Sequence, residues 1–492
     1  MATVVLEEVI LSRTLPLVSE QLDYRALSFC VLRFEIFQLI LLCQCDLHNL
    51  VSSIDQNMTA TALKSELPTE IWYHIFRLAT EVESEFDPLL WSQEHTRAPL
   101  RDIFTSSIYS TYARATRSAI EDAFPTRCNI SSVSRRWRTL GITILYSSVT
   151  LKSHANMIIF LDVLKRSARA DAQSGGLARC VRRITFGPSR FAKFEDSERT
   201  MARILSLCKD LVILVDDGPA SGPGQFPFPE FPPLTKCPNL RYIFGKRPMS
   251  PISSSERWKW LSSMQNLHAI ALEVYASHFE YSTLFQASTP TIHLPHLHTL
   301  QFADGDDAVA RSVSTWDLPS LRNLIFTEEN SNHAMYYILK SHGHKIERLV
   351  FTGGLQEDEG EIDNDLLPPS LPQLRFLSIP FPEPHDLLTV TPLITSPNLE
   401  DFEFPIDLHS LMPDPYNHYA LGEVDLASVE GLLDMLLNER KTPSLQTVRF
   451  LKVSRYRPRI INHWLEELEK RLWERGVRLQ IEMVEGDLHV PY

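Results

Sequence analysis

Apolar positions along the chain follow two different periods. Between residues 67 and 140 they recur at helical spacing, and from about residue 178 onward they recur as one short phrase with alternating apolar and polar positions. In the first regime Ile71, Ile75 and Leu78 stand at i, i+4 and i+7 behind Pro68, whose ring pre-sets the dihedral of a first helical turn. An amphipathic helix with a sharp start is predicted there. A second cluster, Cys128 to Leu140, puts Ile130, Val133, Trp137 and Leu140 on one helical face. That helix is predicted to end near Gly141, with Ile142 to Leu151 alternating as a strand. Between the two, residues 83–99 read as a polar loop and Leu100 to Phe124 as a further helix through Ile103, Ile108, Tyr112, Ala115 and Ala119. Residues 1–60 read as an extension, helical or poorly ordered, with Met58 a candidate start.

The second regime repeats itself. A leading residue, most often Pro, is followed two residues later by an apolar anchor and then by alternation, as in Pro295-His-Leu-His-Thr-Leu-Gln-Phe302 and Pro319-Ser-Leu-Arg-Asn-Leu-Ile-Phe326. The anchors Leu240, Leu267, Leu297, Leu321, Ile346, Leu374, Leu399 and Leu445 are spaced by 27, 30, 24, 25, 28, 25 and 46 residues. All but the last gap suit a leucine-rich-repeat period of about 20 to 29 residues, and the last is near two periods. One repeat cannot bury its own apolar face, so neighbours must stack. The prediction is an α/β fold: a short helical segment leading into an irregular solenoid over 178–485, with parallel strands on the concave face and helices and turns on the convex face. Cys180 to Phe186 and Leu211 to Val215 read as earlier strands of the same ladder. Ile460 to Arg475 reads as a capping helix ended by Gly476, with a strand after it to Val484 and a tail at 486–492. Residues 216–233, rich in Pro and Gly, and the acidic run 356–365 read as loops. The acidic run lacks EF-hand ligand spacing.

Composition narrows the function. Hydrophobic residues at 44% and charged residues at 22% belong to a chain that buries a core. The net charge of −13 gives no basic excess for a phosphate backbone, so nucleic acid is not an expected partner. The apolar stretch Ala26 to Cys45 is interrupted by Arg33 and Glu35, so no membrane span is expected. Seven scattered cysteines without a CxxC fit reduced thiols in the cytoplasm or nucleus.

The motif LPTEIWYHIF (67–76) resembles the first helix of the F-box, and VSRRWRTLGITILY (133–146) resembles its end; followed by leucine repeats, they are similar to F-box proteins of mushroom-forming fungi. The resemblance covers 65–151, with residues 81–127 standing where a compact F-box has only a few residues. It implies a module that binds the small adaptor protein bridging to cullin, with Leu67, Pro68, Ile71, Ile75, Phe76, Val133 and Trp137 as its core or adaptor-facing positions. It also implies a non-enzymatic substrate receptor of an SCF-type cullin-RING ubiquitin ligase. A target protein is then expected on the outward strand positions, which include Thr299, Gln301, Asn323, Ile325, Thr327, Arg348, Val350, Phe376, Ser378, Asp401, Glu403, Thr447 and Arg449. These positions are expected to be exposed.

No GxSxG, GxxxxGK[ST], GxGxxG or HExxH is present, and His293, His296 and His298 sit inside a repeat phrase. No cofactor, metal or catalytic residue is therefore expected. Two other readings stay open: a repeat scaffold without ligase association, and an enzyme whose site none of these motifs reveals.

Overall fold

The computed structural model describes residues 69–80, 82, 108–170, 176–187, 194–216, 237–245, 261–273, 292–303, 307–327, 332–351, 371–379, 393–404, 426–454 and 459–484. Leu67, Pro68, Met58, the extension 1–60, the acidic run 356–365 and the tail 486–492 lie outside them, as does the Pro/Gly-rich loop beyond Asp216. Two compact units are distinguished.

The first unit comprises, among the described residues, 69–80 and 123–144. Helix α1 (Thr69–Thr80) matches the expected amphipathic helix. Helix α2 (Ile108–Val133) continues through Pro125, where the sequence predicted one helix ending at Phe124 and another beginning near Cys128. Helix α3 (Arg135–Ser147) starts at Ser134, whose Oγ accepts from the Trp137 backbone N–H at 3.1 Å and satisfies one of the free donors of the first turn. Gly141 does not end this helix. It lies where α3 crosses α2 so closely that a Cβ would stand 2.8 Å from Ser131 Oγ and 3.3 Å from Ile130 Cγ2. The strand expected over Ile142 to Leu151 is correspondingly helical as far as Ser147. Phe76, Ile130, Trp137 and Ile144 are buried together, and Trp72, Ile75 and Leu140 pack against them. Rings of Trp72, Phe76 and Trp137 meet with centroids 4.7 to 5.7 Å apart. Arg127 Nη2 donates to the Thr80 carbonyl at 2.9 Å, placing a cation at the C-terminal end of α1.

Among the described residues the second unit holds twelve parallel strands in strict chain order, in a sheet that does not close on itself. They are β1 (Ser148–Leu151), β2 (Arg183–Phe186), β3 (Ile213–Asp216), β4 (Tyr242–Gly245), β5 (Ala269–Glu273), β6 (Thr299–Ala303), β7 (Asn323–Thr327), β8 (Arg348–Phe351), β9 (Phe376–Ser378), β10 (Asp401–Phe404), β11 (Thr447–Ser454) and β12 (Arg478–Val484). Helices α4 (His154–Ala170), α5 (Phe194–Leu207), α6 (Asp307–Ser314), α7 (Asn332–His342), α8 (Leu426–Leu437) and α9 (Arg459–Glu474) intervene. An α/β chain with one strand added per turn is compatible with a solenoid.

The phrase read in the sequence sets this geometry. Each anchor is buried, and its backbone N–H donates to the carbonyl three residues earlier, as in Leu297 to Leu294, Leu321 to Leu318 and Leu374 to Leu371. The following residue donates to the preceding coil, giving an unbroken run from Arg241 through His268, His298, Arg322, Glu347, Arg375, Glu400 and Gln446 to Arg478. Polar side chains next to the anchors repeat this one coil back: Asn266 donates to the Pro238 carbonyl, Ser320 to Pro295, Asn398 to Pro372 and Ser444 to Pro397. Alternation then turns Ile270, Leu300, Leu324, Leu349, Leu377, Phe402 and Val448 onto the core face. Phenylalanines two residues further stack across coils, with 5.5 Å between Phe326 and Phe351 and 5.0 Å between Phe404 and Phe450. At the far end Gly476, with φ of +79°, closes α9: its N–H donates to Trp473 and that of Val477 to Leu472, the paired bonds that satisfy the last carbonyls of a helix. Arg475 Nη1 and Nη2 donate to the carbonyls of Leu436 and Thr442.

Candidate functional site

Two surfaces carry the residues singled out in the sequence. On the first unit they divide by helical phase. Phe76 and Trp137 are core; Ile71 is 43% exposed, Val133 57%, and Ile75 is half-buried. The core face of α1 runs through Trp72, Phe76 and Thr80, so the stripe Ile71, Ile75, Leu78 flanks the core and stays partly in solvent, with Leu78 63% exposed. Tyr73 and Phe124 are exposed as well. Leu78 and Tyr73 were not among the expected contact residues. Leu78 was legible in the i, i+4, i+7 spacing; Tyr73 had no such signal.

On the second unit the expected target-binding positions share one face of the sheet. Register aligns Ala269, Thr299, Asn323, Arg348, Phe376, Asp401, Thr447 and Arg478 in one row across the strands. A second row holds Ala271, Gln301, Ile325, Val350, Ser378, Glu403, Arg449 and Gln480. The structure corrects their expected exposure. Thr299, Gln301, Ile325, Val350, Phe376, Ser378, Glu403 and Thr447 are buried, while Asn323, Arg348, Asp401 and Arg449 are half-buried. Alternation dictates only that these side chains leave the core face, and leaving it is not the same as reaching water. The side chain of Thr327 lies outside the described residues.

This face is apolar at one end and charged at the other. Ile213, Val215, Tyr242, Phe244, Ala269 and Ala271 form a buried apolar patch with Ile325, Val350 and Phe376. From β8 to β12 the Arg348 guanidinium lies 4.0 Å from the centre of the Phe376 ring. Ser378 Oγ donates to Glu403 Oε1 at 3.0 Å. Arg449 Nε donates to Gln480 Oε1 at 2.9 Å, and its Nη2 stands 3.4 Å from Asp401 Oδ1. Burial pushes the Glu403 carboxyl above the usual carboxylate range, with Asp401 adding to the rise, against the pull of Arg348, the Ser378 hydrogen bond and Arg449. Between the two ends Asn323 Nδ2 donates to Thr299 Oγ1 at 3.0 Å, while both amide atoms of Gln301 are buried without a hydrogen-bond partner.

The histidines of the repeat phrase stand apart from these rows. His293 Nδ1 meets Asp317 Oδ2 at 2.6 Å. His296 and His298 gather around His268, with ring centroids 6.3 and 5.4 Å away, because both precede β6 and strand alternation does not separate them. Among the described residues no group of three or more His, Cys, Asp or Glu is placed to hold a metal ion, and no helix is long and apolar enough to cross a membrane. No protein-family model matches the chain, and no curated protein matches it.

Proposed function

We propose that the chain is a non-enzymatic substrate receptor of an SCF-type cullin-RING ubiquitin ligase. In this reading an F-box-like unit holds the ligase adaptor, and a leucine-rich-repeat-like array holds a target protein. The observation that carries it is the stripe of Ile71, Ile75 and Leu78, partly solvated beside a filled aromatic core. Exposed aliphatic side chains aligned on one helix are what a helix-to-helix docking contact uses. For the second requirement, a surface for the target, the sheet offers its half-buried and exposed polar positions, Asn323, Arg348, Asp401, Arg449, Arg478 and Gln480. The chain works by proximity: ubiquitin transfer belongs to separate subunits, and the receptor raises the local concentration of the target beside them. In this reading the chain works in the cytoplasm or nucleus, where its scattered cysteines stay reduced.

Co-precipitation with the purified adaptor tests this. Ile71→Asp combined with Leu78→Asp should lower retention at least about tenfold without moving the melting temperature, since both side chains are exposed. Trp137→Ala should lower both together, because it empties the aromatic core. No retention of the unmutated chain overturns the ligase role. It would leave the second reading, a repeat scaffold without ligase association, which the inward burial of Phe76 and Trp137 favours.

A further inference from the structure

The last strand of the order, β12, is built unlike the inner ones. It runs for seven residues where β1 to β10 have three to five, and it contains neither Pro nor Lys, residues that commonly keep a strand edge from pairing. The Arg478 N–H donates to the Gln446 carbonyl, so Arg478 and Gln480 turn their backbone groups towards β11. The N–H and C=O groups of Leu479 and Ile481 therefore turn outward, where they meet no further strand among the described residues. Their side chains reach the core face but are only half-buried, whereas Leu377, Phe402 and Val448, in the same row of the inner strands, are fully buried. Arg478 and Gln480 are exposed on the opposite face. This end of the sheet thus offers free backbone groups flanked by incompletely covered aliphatic side chains, the two things that strand addition uses.

We propose that two copies of the chain pair antiparallel through β12 about a two-fold axis at Gln480, joining their sheets edge to edge. The segment Arg478-Leu-Gln-Ile-Glu482 is its own complement in this register. Leu479 falls opposite the partner's Ile481, and because both turn their backbone groups outward, each such pair exchanges both of its backbone hydrogen bonds. The half-covered side chains of the same residues meet on the core face and cover one another. Arg478 falls opposite the partner's Glu482 on both sides of the axis, a pairing of opposite charges that a slip of two residues would lose. A second copy suits this edge because one patch serves both sides and the contact closes on itself. The pairing uses no residue assigned to adaptor contact, so it stands or falls apart from the ligase role. One strand edge is a small interface, and the dimer is accordingly weak and concentration-dependent.

Sedimentation velocity of the full chain from about 1 to 100 µM tests this. The unmutated chain should pass from monomer to dimer over that range and go no further. Gln480→Glu sets two carboxylates opposite each other at the axis and should weaken the dimer about fivefold or more. Its melting temperature should not fall, since the new carboxylate still accepts from Arg449 Nε as the Gln480 amide does. Arg478→Glu places like charges opposite each other on both sides of the axis and should weaken the dimer about tenfold or more. Adding Glu482→Arg to that variant restores the opposite-charge pairs and should restore the dimer, a rescue that specifies the register. A chain that stays monomeric throughout overturns the proposal and leaves the edge to residues 485–492 or to a strand of another protein. Dimers indifferent to both single variants, a failed rescue, or species larger than a dimer would place the contact elsewhere and overturn it as well.

Discussion

His342 shows how one side chain ties the second unit to pH. It is buried at the end of α7, with Nε2 3.2 Å from the Val313 carbonyl of α6. Burial pulls it down from 6.5 to about 4, the Val313 hydrogen bond and Asp317 opposing, Lys345 and His344 assisting. The folded chain thus binds fewer protons than the unfolded chain between these values. The contribution of His342 is complete above about pH 6.5 and drains away as pH falls towards 4. A difference of this size corresponds to about 3 kcal/mol. Urea unfolding followed from pH 7 to 4 should show His342→Gln losing less stability than the unmutated chain by an amount of that order; parallel curves would show that the imidazole titrates normally. Nothing in SHGH distinguished this histidine from a turn residue, since burial comes from α6, 29 residues away in sequence. Glu403 and Gln301 were legible as outward-facing by strand period and illegible as buried. Period records which face a side chain leaves, whereas burial depends on what lies over the other face.

At the scale of elements, the helices around Gly141 carry the clearest departure from local reading. A glycine after Leu140, followed by Ile-Thr-Ile-Leu, has the local signature of a helix stop and a strand, and β-branched residues strengthen it. The structure keeps the helix to Ser147 because the glycine serves close approach: Ser131 and Ile130 of α2 occupy the space its side chain would need. Pro125 misleads in the same way, carried inside α2 although proline usually marks a boundary. The glycine is an override of local propensity by tertiary contact, invisible to any window of neighbouring residues, whereas Pro125 is carried on an exposed stretch of its helix. Gly141→Leu, which improves helix propensity, should nonetheless destabilise the first unit by about 1 to 3 kcal/mol through overpacking. Differential scanning calorimetry is the measurement, and a raised melting temperature would show that the two helices have room to separate. By contrast the Gly476 cap of α9, the strands β2 and β3 and every anchor were legible, since each depends on residues within one coil.

Over the whole molecule, the strand order β1 to β12 makes the second unit nearly one-dimensional. Each coil meets its neighbours through a parallel register, a backbone hydrogen bond after the anchor and one layer of core side chains. Ion pairs follow the same column, Arg322 with Glu347 and Arg375 with Glu400, but being solvent-exposed they contribute little beside the buried anchors. Stability is then close to a sum of coil and interface contributions, and damage to one coil should spread only as far as its interfaces carry it. Leu321, fully buried and central, offers the test: Leu321→Ala removes packing worth about 2 to 5 kcal/mol. In native-state hydrogen exchange, amides of β6, β7 and β8 should lose protection most, with β11 and β12 nearly unchanged, because three further strands separate β8 from β12 and α9 closes the far end independently. Uniform loss across all twelve strands would mean that the sheet opens as one cooperative block, and the coil-by-coil logic by which the period was read from the sequence would then describe its geometry but not its energetics.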